Sequence, residues 1–236
     1  MKIIVLSITQ YKEKDGIIDA ISEQGSITFL AKGIMDHKSK NSAINNALVI
    51  ADIELNEGNY KYPVLKTASI TFTPMKTSNS YYYLSSLLFI GEVTKTLLQD
   101  EEKIEIFETL ADAVQKLKTT DNPWPIVLVY LAKLLTIGGY EFEVNQCVFC
   151  GTKKEIVAFS FKDGGFVCKN CMEVDTERDL SKTQMLLIRS AFNTKDIKEA
   201  NFECTKEDAI VVLNKFNEFI VDSYGLNLKC FDLLNK

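Results

Sequence analysis

Residues 147–171 read CVFCGTKKEIVAFSFKDGGFVCKNC, a segment that begins and ends with a Cys-x-x-Cys pair. Each pair places two thiols within reach of one ion. Together Cys147, Cys150, Cys168 and Cys171 match the ligand set of a tetrahedral Zn²⁺. Between the pairs, the pattern predicts a strand, a tight turn containing two glycines and a second strand. Such a hairpin would return the second pair of cysteines to the first.

A site with four thiolate ligands has no open position for water, so we expect a structural rather than a catalytic zinc ion. Two disulfide bonds are the alternative. They are disfavoured because a Cys-x-x-Cys disulfide closes a small strained ring and because the sequence starts without a signal-peptide pattern. The remaining cysteines, Cys204 and Cys230, are expected to be buried free thiols.

The composition is typical of a soluble globular protein, with 46% hydrophobic and 25% charged residues. The longest apolar stretch, residues 125–137, falls short of the roughly 20 residues that a bilayer requires, so we expect a cytoplasmic protein without membrane contact. The chain has one histidine and neither a phosphate-binding loop motif nor a dinucleotide-binding motif. An enzyme is therefore not favoured.

The formal net charge is −5, which argues against a nucleic-acid partner unless the charge is unevenly spread. It is uneven. Residues 1–91 carry nine lysines and eight acids, and residues 58–91 contain three lysines and no acid. A polyanion is therefore expected to bind the N-terminal part of the chain.

The first eighty residues read as strands separated by turn-forming residues. Runs rich in Ile, Val, Thr and aromatic residues predict strands at 2–9, 17–21, 26–32, 47–55 and 60–72. Five such strands indicate a small barrel, of which the oligonucleotide/oligosaccharide-binding (OB) barrel is the commonest five-stranded form. An SH3-like barrel or a small sandwich would give a similar pattern.

Beyond Pro74 the apolar residues follow the period of helices. Helices are predicted at 80–98, 101–118, 124–137, 181–192 and 205–223, and the third is apolar almost all round, as a buried central helix would be. Asn122-Pro123 is predicted to cap that helix, and Thr205 the last one. We predict an α+β protein with an OB-type nucleic-acid-binding domain at 1–78 and a helical domain at 79–236, which carries a zinc-binding insertion at about 145–173.

Two groups of lysines are candidates for DNA contact. One lies in the loop after the third strand, and the other lies in the acid-free span beside Tyr60, Tyr62 and Phe72. Lysines contact phosphates, and single strands stack on exposed aromatic rings. A solvated loop and an aromatic core are the alternative interpretations. The candidate DNA-binding residues are Lys32, His37, Lys38, Lys40, Lys61, Lys66 and Lys76.

Short motifs follow one another along the whole chain in a fixed order. They are Tyr11-x-Glu13-x-Asp15, Glu23-x-x-Gly25, Ala31-Lys32-Gly33, Lys38-Ser39, residues 135–139, Cys147-x-x-Cys150-Gly151, Phe159-Ser160, Gly164-Gly165 and Cys168-x-x-Cys171. This ordered combination resembles the bacterial RecO family of recombination mediators and DNA repair proteins.

The resemblance implies an OB barrel followed by a helical domain that carries a zinc knuckle. It further implies binding of single- and double-stranded DNA, annealing of complementary strands, and contact with single-strand DNA-binding protein and RecR, by which RecA is loaded onto coated strands. No nucleotide hydrolysis is implied. Lys32, Lys38 and Lys40 lie where the family has its basic DNA-facing loop.

The chain departs from the family where arginines often follow Ala-Lys-Gly, because Ile34, Met35, Asp36 and His37 stand there instead. Only two arginines occur in the sequence. Lysine contacts phosphate without the bidentate fork of arginine, so weaker and salt-sensitive DNA binding is expected. The alternatives are a zinc-stabilised nucleic-acid adaptor that acts on RNA or in transcription, a zinc-dependent deaminase or hydrolase, and a protein–protein hub.

Overall fold

The N-terminal part of the chain forms a closed five-stranded barrel. A computed structural model describes residues 1–36, 38–56, 61–76, 80–173, 176 and 178–235. Its first strands are β1 (Lys2–Tyr11), β2 (Asp15–Ser22), β3 (Gly25–Ala31), β4 (Ile50–Asn56) and β5 (Val64–Phe72). They pair in the order β1-β2-β3-β5-β4, and β1 and β4 close the barrel. Only the β3–β5 pairing is parallel among these strands, and the closed barrel confirms the OB-type prediction.

Strand β1 is buried on both faces, which explains its unbroken apolar run. Side chains alternate between the two faces of a strand. Ile3 and Val5 accordingly belong to the barrel core, whereas Ile4 and Leu6 pack in the core of the helical part. The barrel and the helices therefore share β1 as a common wall.

Within the described residues, six α-helices follow the barrel. They are α1 (Tyr81–Leu97), α2 (Glu102–Thr119), α3 (Trp124–Ile137), α4 (Lys182–Asn193), α5 (Lys206–Tyr224) and α6 (Lys229–Leu234), and short 3-10 turns lie at Ser42–Ile44 and Ile197–Glu199. Helix α3 is buried on nearly every side, as its composition predicts. Thr205 caps α5 as predicted. Helix α3 begins at Trp124, so Pro123 is not its first helical residue, and the Trp124 N–H donates to the Asn122 side chain. The six-residue helix α6 is too short to show a helical period in the sequence.

A two-stranded hairpin separates α3 from α4. Its strands, β6 (Ile156–Ser160) and β7 (Gly165–Cys168), pair antiparallel as the sequence predicts. Gly165 lies against the backbone of Glu143, where an added Cβ would come within 2.4 Å of the Glu143 carbonyl oxygen. Glycine is therefore required there, because this close approach holds the hairpin against the segment that precedes it.

Polar contacts tie the barrel to the helices. The Lys95 ammonium of α1 binds the Asp19 carboxylate and the Ser7 hydroxyl of the barrel, at 3.3 and 2.7 Å. Burial alone would raise the pKa of Asp19, but hydrogen bonds from Ser7, Thr28 and Lys95 hold it below its usual value. The Tyr83 hydroxyl of α1 donates to the carbonyl of Pro74, a residue that follows the last barrel strand.

The predicted domain boundary near residue 78 lies outside the described residues, and the division of the chain into two domains stays a prediction. Among the helices within the described ranges, none combines the length and hydropathy needed to cross a bilayer.

The buried pair Thr94–Tyr130 joins α1 to the central helix and allows a test of this packing. The two hydroxyl oxygens lie 2.6 Å apart, and Thr94 also donates to the Ile90 carbonyl. We expect Thr94→Val to lower the free energy of unfolding by about 2 kcal/mol, because the buried Tyr130 hydroxyl loses its partner. Tyr130→Phe should cost about 1 kcal/mol, since Thr94 keeps its bond to Ile90.

The double variant should be more stable than Thr94→Val alone, because it leaves no unpaired hydroxyl. Urea denaturation of the four proteins measures this cycle. Strictly additive losses would show that the two hydroxyl groups do not form the buried pair.

Candidate metal centre and nucleic-acid interface

The four cysteines of the two Cys-x-x-Cys pairs converge at one end of the hairpin. Cys168 ends β7, Cys171 lies in the turn after it, and Cys147 and Cys150 lie in the turn that precedes β6. Their four Sγ atoms all lie within 4.8 Å of one another and are called the sulfur cluster below. The sequence therefore identifies all four members of the cluster.

Backbone hydrogen bonds fix the two turns that carry the thiols. Gly151 adopts a φ of +71°, and its N–H donates to the Cys147 carbonyl at 2.9 Å. In the second turn the Cys171 N–H donates to the Cys168 carbonyl at 3.1 Å. The Val148 N–H donates to the Phe166 carbonyl, which holds the first turn against the hairpin. The thiols are thus aimed at one point by the backbone.

The sulfur spacing fits a metal ion and not a disulfide. Zn–S bonds of about 2.3 Å in a tetrahedron place neighbouring sulfurs roughly 3.8 Å apart. The Cys150 and Cys168 Sγ atoms are 3.7 Å apart, far beyond the ~2.05 Å of a disulfide bond. All six cysteines of the chain, each within the described ranges, are free thiols.

The pKa values of the thiols reflect their closeness. Burial alone would raise the pKa of Cys147, but the N–H groups of Cys150, Cys168 and Phe149 outweigh burial and lower it to about 6. The thiols of Cys150 and Cys168 raise the pKa of Cys171 to about 12. Adjacent thiolates repel one another, so one thiol ionises readily while another keeps its proton. A divalent cation supplies the positive charge with which all four can ionise.

A second site is formed by loops around the end of β3. Lys32, Lys38 and Lys40 lie in the exposed segment that follows this strand. The turn between β1 and β2 lies beside this segment, because the Met35 N–H donates to the Lys14 carbonyl and the Gly33 N–H to the Asp15 carboxylate. The exposed lysines Lys12 and Lys14 of that turn therefore join the three predicted ones.

The connection between β4 and β5 adds to the same region. The Leu30 N–H of β3 donates to the Pro63 carbonyl at 2.9 Å, and Leu30 pairs with Val64. The exposed Lys61 is thereby brought near the end of β3. The basic loop surface, as we name it, comprises the lysines of these three loops: Lys12, Lys14, Lys32, Lys38, Lys40 and Lys61.

Acidic residues within the basic loop surface organise it. The Asp36 carboxylate accepts from the Lys38 N–H at 3.0 Å and binds the Lys14 ammonium at 3.3 Å.

Two tyrosine rings lie beside lysines of the basic loop surface. Tyr11 is 42% exposed, and the Lys12 ammonium lies 5.3 Å from the centroid of its ring. The Lys61 ammonium lies at the same distance from the centroid of the Tyr62 ring. The surface therefore presents aromatic rings beside ammonium groups, as proteins that bind single strands do.

Of the remaining candidate DNA-binding residues, Lys66 lies on a strand beside the end of β3, Lys76 lies elsewhere, and His37 is outside the described residues. Lys66 is on β5, two residues beyond Val64, and its ammonium binds the Glu54 carboxylate at 3.1 Å. Lys76 follows the other end of β5, about 25 Å further along the strand, and stands 4.1 Å from the centroid of the Tyr83 ring. His37 lies outside the described residues. Lys61 and Lys76, which both belong to the acid-free span, are thus separated by the length of β5.

A basic groove lies between the hairpin and α4, close to the sulfur cluster. It has a volume of about 400 Å³, and its walls include three basic residues and one acid: Lys153, Lys182, Arg189 and Glu155, together with Ile156, Phe166 and Leu186. The Arg189 guanidinium lies 5.1 Å from the centroid of the Phe166 ring and donates to the Val144 carbonyl at 2.8 Å. Leu186 is 46% exposed. The groove joins residues far apart in the chain, so no local sequence pattern indicates it.

Comparison with known proteins places these features in a family. Residues 78–229 match the family model described as recombination protein O C terminal. The chain is 25% identical over 229 residues to DNA repair protein RecO of Halalkalibacterium halodurans, an alignment that covers 96% of this chain and 90% of that protein. It is 28% identical to RecO of Mesoplasma florum over 183 residues, covering 74% and 67%, and 23% identical to RecO of Bacillus subtilis over 229 residues, covering 96% and 89%.

Replacement of one thiol tests the sulfur cluster as a metal centre. We expect Cys147→Ser to lose the bound metal and to lower the free energy of unfolding by about 3 kcal/mol or more, a fall in Tm of roughly 6–12 °C. Native mass spectrometry measures the metal, and circular dichroism measures the melting curve. Cys204→Ser is the matched control, because Cys204 lies outside the cluster and should leave both unchanged. A Cys147→Ser protein with full metal content and an unchanged melting curve would contradict the assignment.

Proposed function

Because the chain belongs to the RecO family of DNA repair proteins, we propose that it binds single- and double-stranded DNA and anneals complementary strands. With RecR it helps to load RecA onto DNA coated with single-strand DNA-binding protein. The family membership favours this role over an RNA-binding or transcriptional adaptor. The observation that carries the DNA-binding part is the basic loop surface, where three loops of the barrel bring six lysines around one strand end.

The chemistry of the basic loop surface suits the DNA backbone. Ammonium groups on exposed loops neutralise phosphates and release condensed counterions, which favours binding of any sequence. Tyr11 and Tyr62 offer ring faces on which unpaired bases can stack. Because contacts to the backbone leave base edges free, two bound strands can still pair, and base pairing itself drives annealing. The role proposed is thus one of positioning, without a chemical step.

Recruitment to coated DNA needs contact with the coating protein. The acidic tail of a single-strand DNA-binding protein requires a groove that is both basic and apolar. The basic groove combines Lys153, Lys182 and Arg189 with the exposed Leu186, in a protein whose net charge is −5. Its charge and its apolar wall support it as the docking site for that tail. RecR and, through it, RecA complete the proposed set of partners.

We assign Zn²⁺ to the sulfur cluster, in a structural role. Four thiolates would hold the ion, and the ion would supply the charge and the cross-link that keep the hairpin folded. The hairpin in turn supplies Phe166 and Ile156 to the basic groove, so loss of zinc should disturb the groove before it disturbs the barrel. We place the protein in the cytoplasm, at the nucleoid during repair.

Replacement of the loop lysines tests the DNA-binding surface. We expect the triple change Lys32→Ala, Lys38→Ala and Lys40→Ala to weaken binding of a single-stranded oligonucleotide. The slope of log K against log[salt] should become less steep by about 2, since each lost phosphate contact to a single strand contributes roughly 0.7. Fluorescence anisotropy between low and moderate salt measures both quantities.

A matched control removes three exposed lysines from the helical part, by changing Lys154, Lys195 and Lys229 to Ala. This variant has the same net charge as the first and should retain most of the affinity and the natural salt slope. Equal weakening by the two triple variants would show that overall charge, and not the basic loop surface, governs binding. A flat salt dependence for the natural chain would overturn the phosphate-contact model.

A further inference from the structure

A second, larger cleft lies at the turn end of the hairpin and shares no lining residue with the basic groove. It has a volume of about 750 Å³, within the range of pockets that hold ligands of drug size. The hairpin turn lines one side, and the ends of α3 and α5 line the others. We call it the aromatic cleft, and the DNA-binding proposal does not use it.

Aromatic rings form one wall of the aromatic cleft. Phe219 of α5 is central, because the rings of Tyr140, Phe142 and Phe161 lie with their centroids 4.9, 5.3 and 5.4 Å from its own. All four rings are half-buried, and all four line the cleft. The faces of aromatic rings carry partial negative charge and attract cations, most strongly where water is partly excluded.

The charged residues around the aromatic cleft also favour a cation. Five carboxylate side chains line the cleft against two lysines, Lys162 and Lys215. The Lys215 ammonium is bound by the carboxylates of Glu218, at 2.9 Å, and Asp179. The other lining carboxylates include the exposed Glu141, which follows α3, and Asp222 of α5. The excess of carboxylates favours a positively charged occupant.

The C-terminal ends of two helices independently favour a cation in the aromatic cleft. Helix α3 ends at Ile137 and α5 at Tyr224, and both C-terminal ends line the cleft through Gly139 and Ser223. The carbonyl groups at a helix C-terminus carry partial negative charge, which a nearby cation stabilises. Neither helix has a basic residue in its last turn. The cation that these ends favour must therefore come from outside the two helices.

We propose that the aromatic cleft binds a basic segment of a partner protein, with an arginine or lysine side chain inserted between the aromatic wall and the carboxylates of Glu141 and Asp222. An apolar neighbour of that side chain would pack against Phe161 and Phe219. The site goes beyond the proposed DNA-binding function. It shares no lining residue with the groove that suits an acidic tail, so the protein can hold a basic and an acidic partner segment together.

A pair of synthetic peptides tests the proposal on the full metal-loaded chain. The probe is a dye-labelled heptapeptide with an Arg-Leu-Arg centre, and its control has Gln-Leu-Gln. Fluorescence anisotropy should show binding of the arginine peptide, and at least about tenfold weaker binding of the glutamine peptide. Equal binding of the two peptides, or none of either, would overturn the proposal.

Two charge-matched double variants separate the cleft from the general acidity of the protein. Glu141→Gln with Asp222→Asn should weaken the arginine peptide about tenfold. Glu105→Gln with Glu203→Gln removes two exposed acids outside the cleft and should change its affinity less than about twofold. Equal weakening of peptide binding by the two double variants would show that the peptide is attracted non-specifically by acidic residues, which would contradict the proposal.

The aromatic wall is tested by Phe219→Leu, which keeps most of the volume and removes the ring. Weaker peptide binding is expected, with melting curve and metal content as checks on folding. Unchanged affinity in a folded Phe219→Leu protein would contradict the role of the wall. Oligonucleotide binding by the same variants should stay at the natural level, so failure of the cleft and failure of the DNA-binding proposal give different results.

Discussion

The four neighbouring thiols of the sulfur cluster require one cation between them, and the hairpin between α3 and α4 depends on that requirement. Four sulfur atoms within 4.8 Å of one another cannot all be thiolates without a positive ion between them. An ion in that position would fix the hairpin, and the hairpin is a wall of two candidate binding surfaces. Phe166 and Ile156 line the basic groove, whereas Phe159 and Phe161 line the aromatic cleft. A structural ion at this position would thus shape both surfaces without taking part in a reaction.

The distribution of charge reconciles an acidic protein with a DNA-binding role. A net charge of −5 would repel DNA if it were spread evenly. The basic loop surface instead gathers six lysines around the end of β3, while much of the excess acid lies in the helical half and around the aromatic cleft. Because β1 is a wall of both cores, the basic loop surface, the basic groove and the aromatic cleft are carried on one continuous packing.

The sequence predicts all four members of the sulfur cluster and part of the basic loop surface. Ligand spacing is local, so Cys147, Cys150, Cys168 and Cys171 could be assigned without the fold. The lysines depend on strand register. The pairing of Leu30 with Val64 brings Lys61 towards the end of β3, and the length of β5 separates it from Lys76. The sequence does not indicate Lys12 and Lys14 as members of this surface, because only the pairing of β1 with β2 places their turn beside the segment after β3. The groove and the cleft are formed by segments far apart in the chain, which no local pattern reveals.

The most direct test of the account is the annealing rate of complementary oligonucleotides coated with the cognate single-strand DNA-binding protein, measured beside the same strands uncoated. The natural chain should accelerate both reactions, and the chain without Lys32, Lys38 and Lys40 should accelerate neither. Leu186→Glu changes an exposed residue of the basic groove. It should retain acceleration on bare strands and lose it on coated ones, because the added charge repels an acidic tail. No acceleration on coated strands by the folded, metal-loaded natural chain would contradict the mediator role.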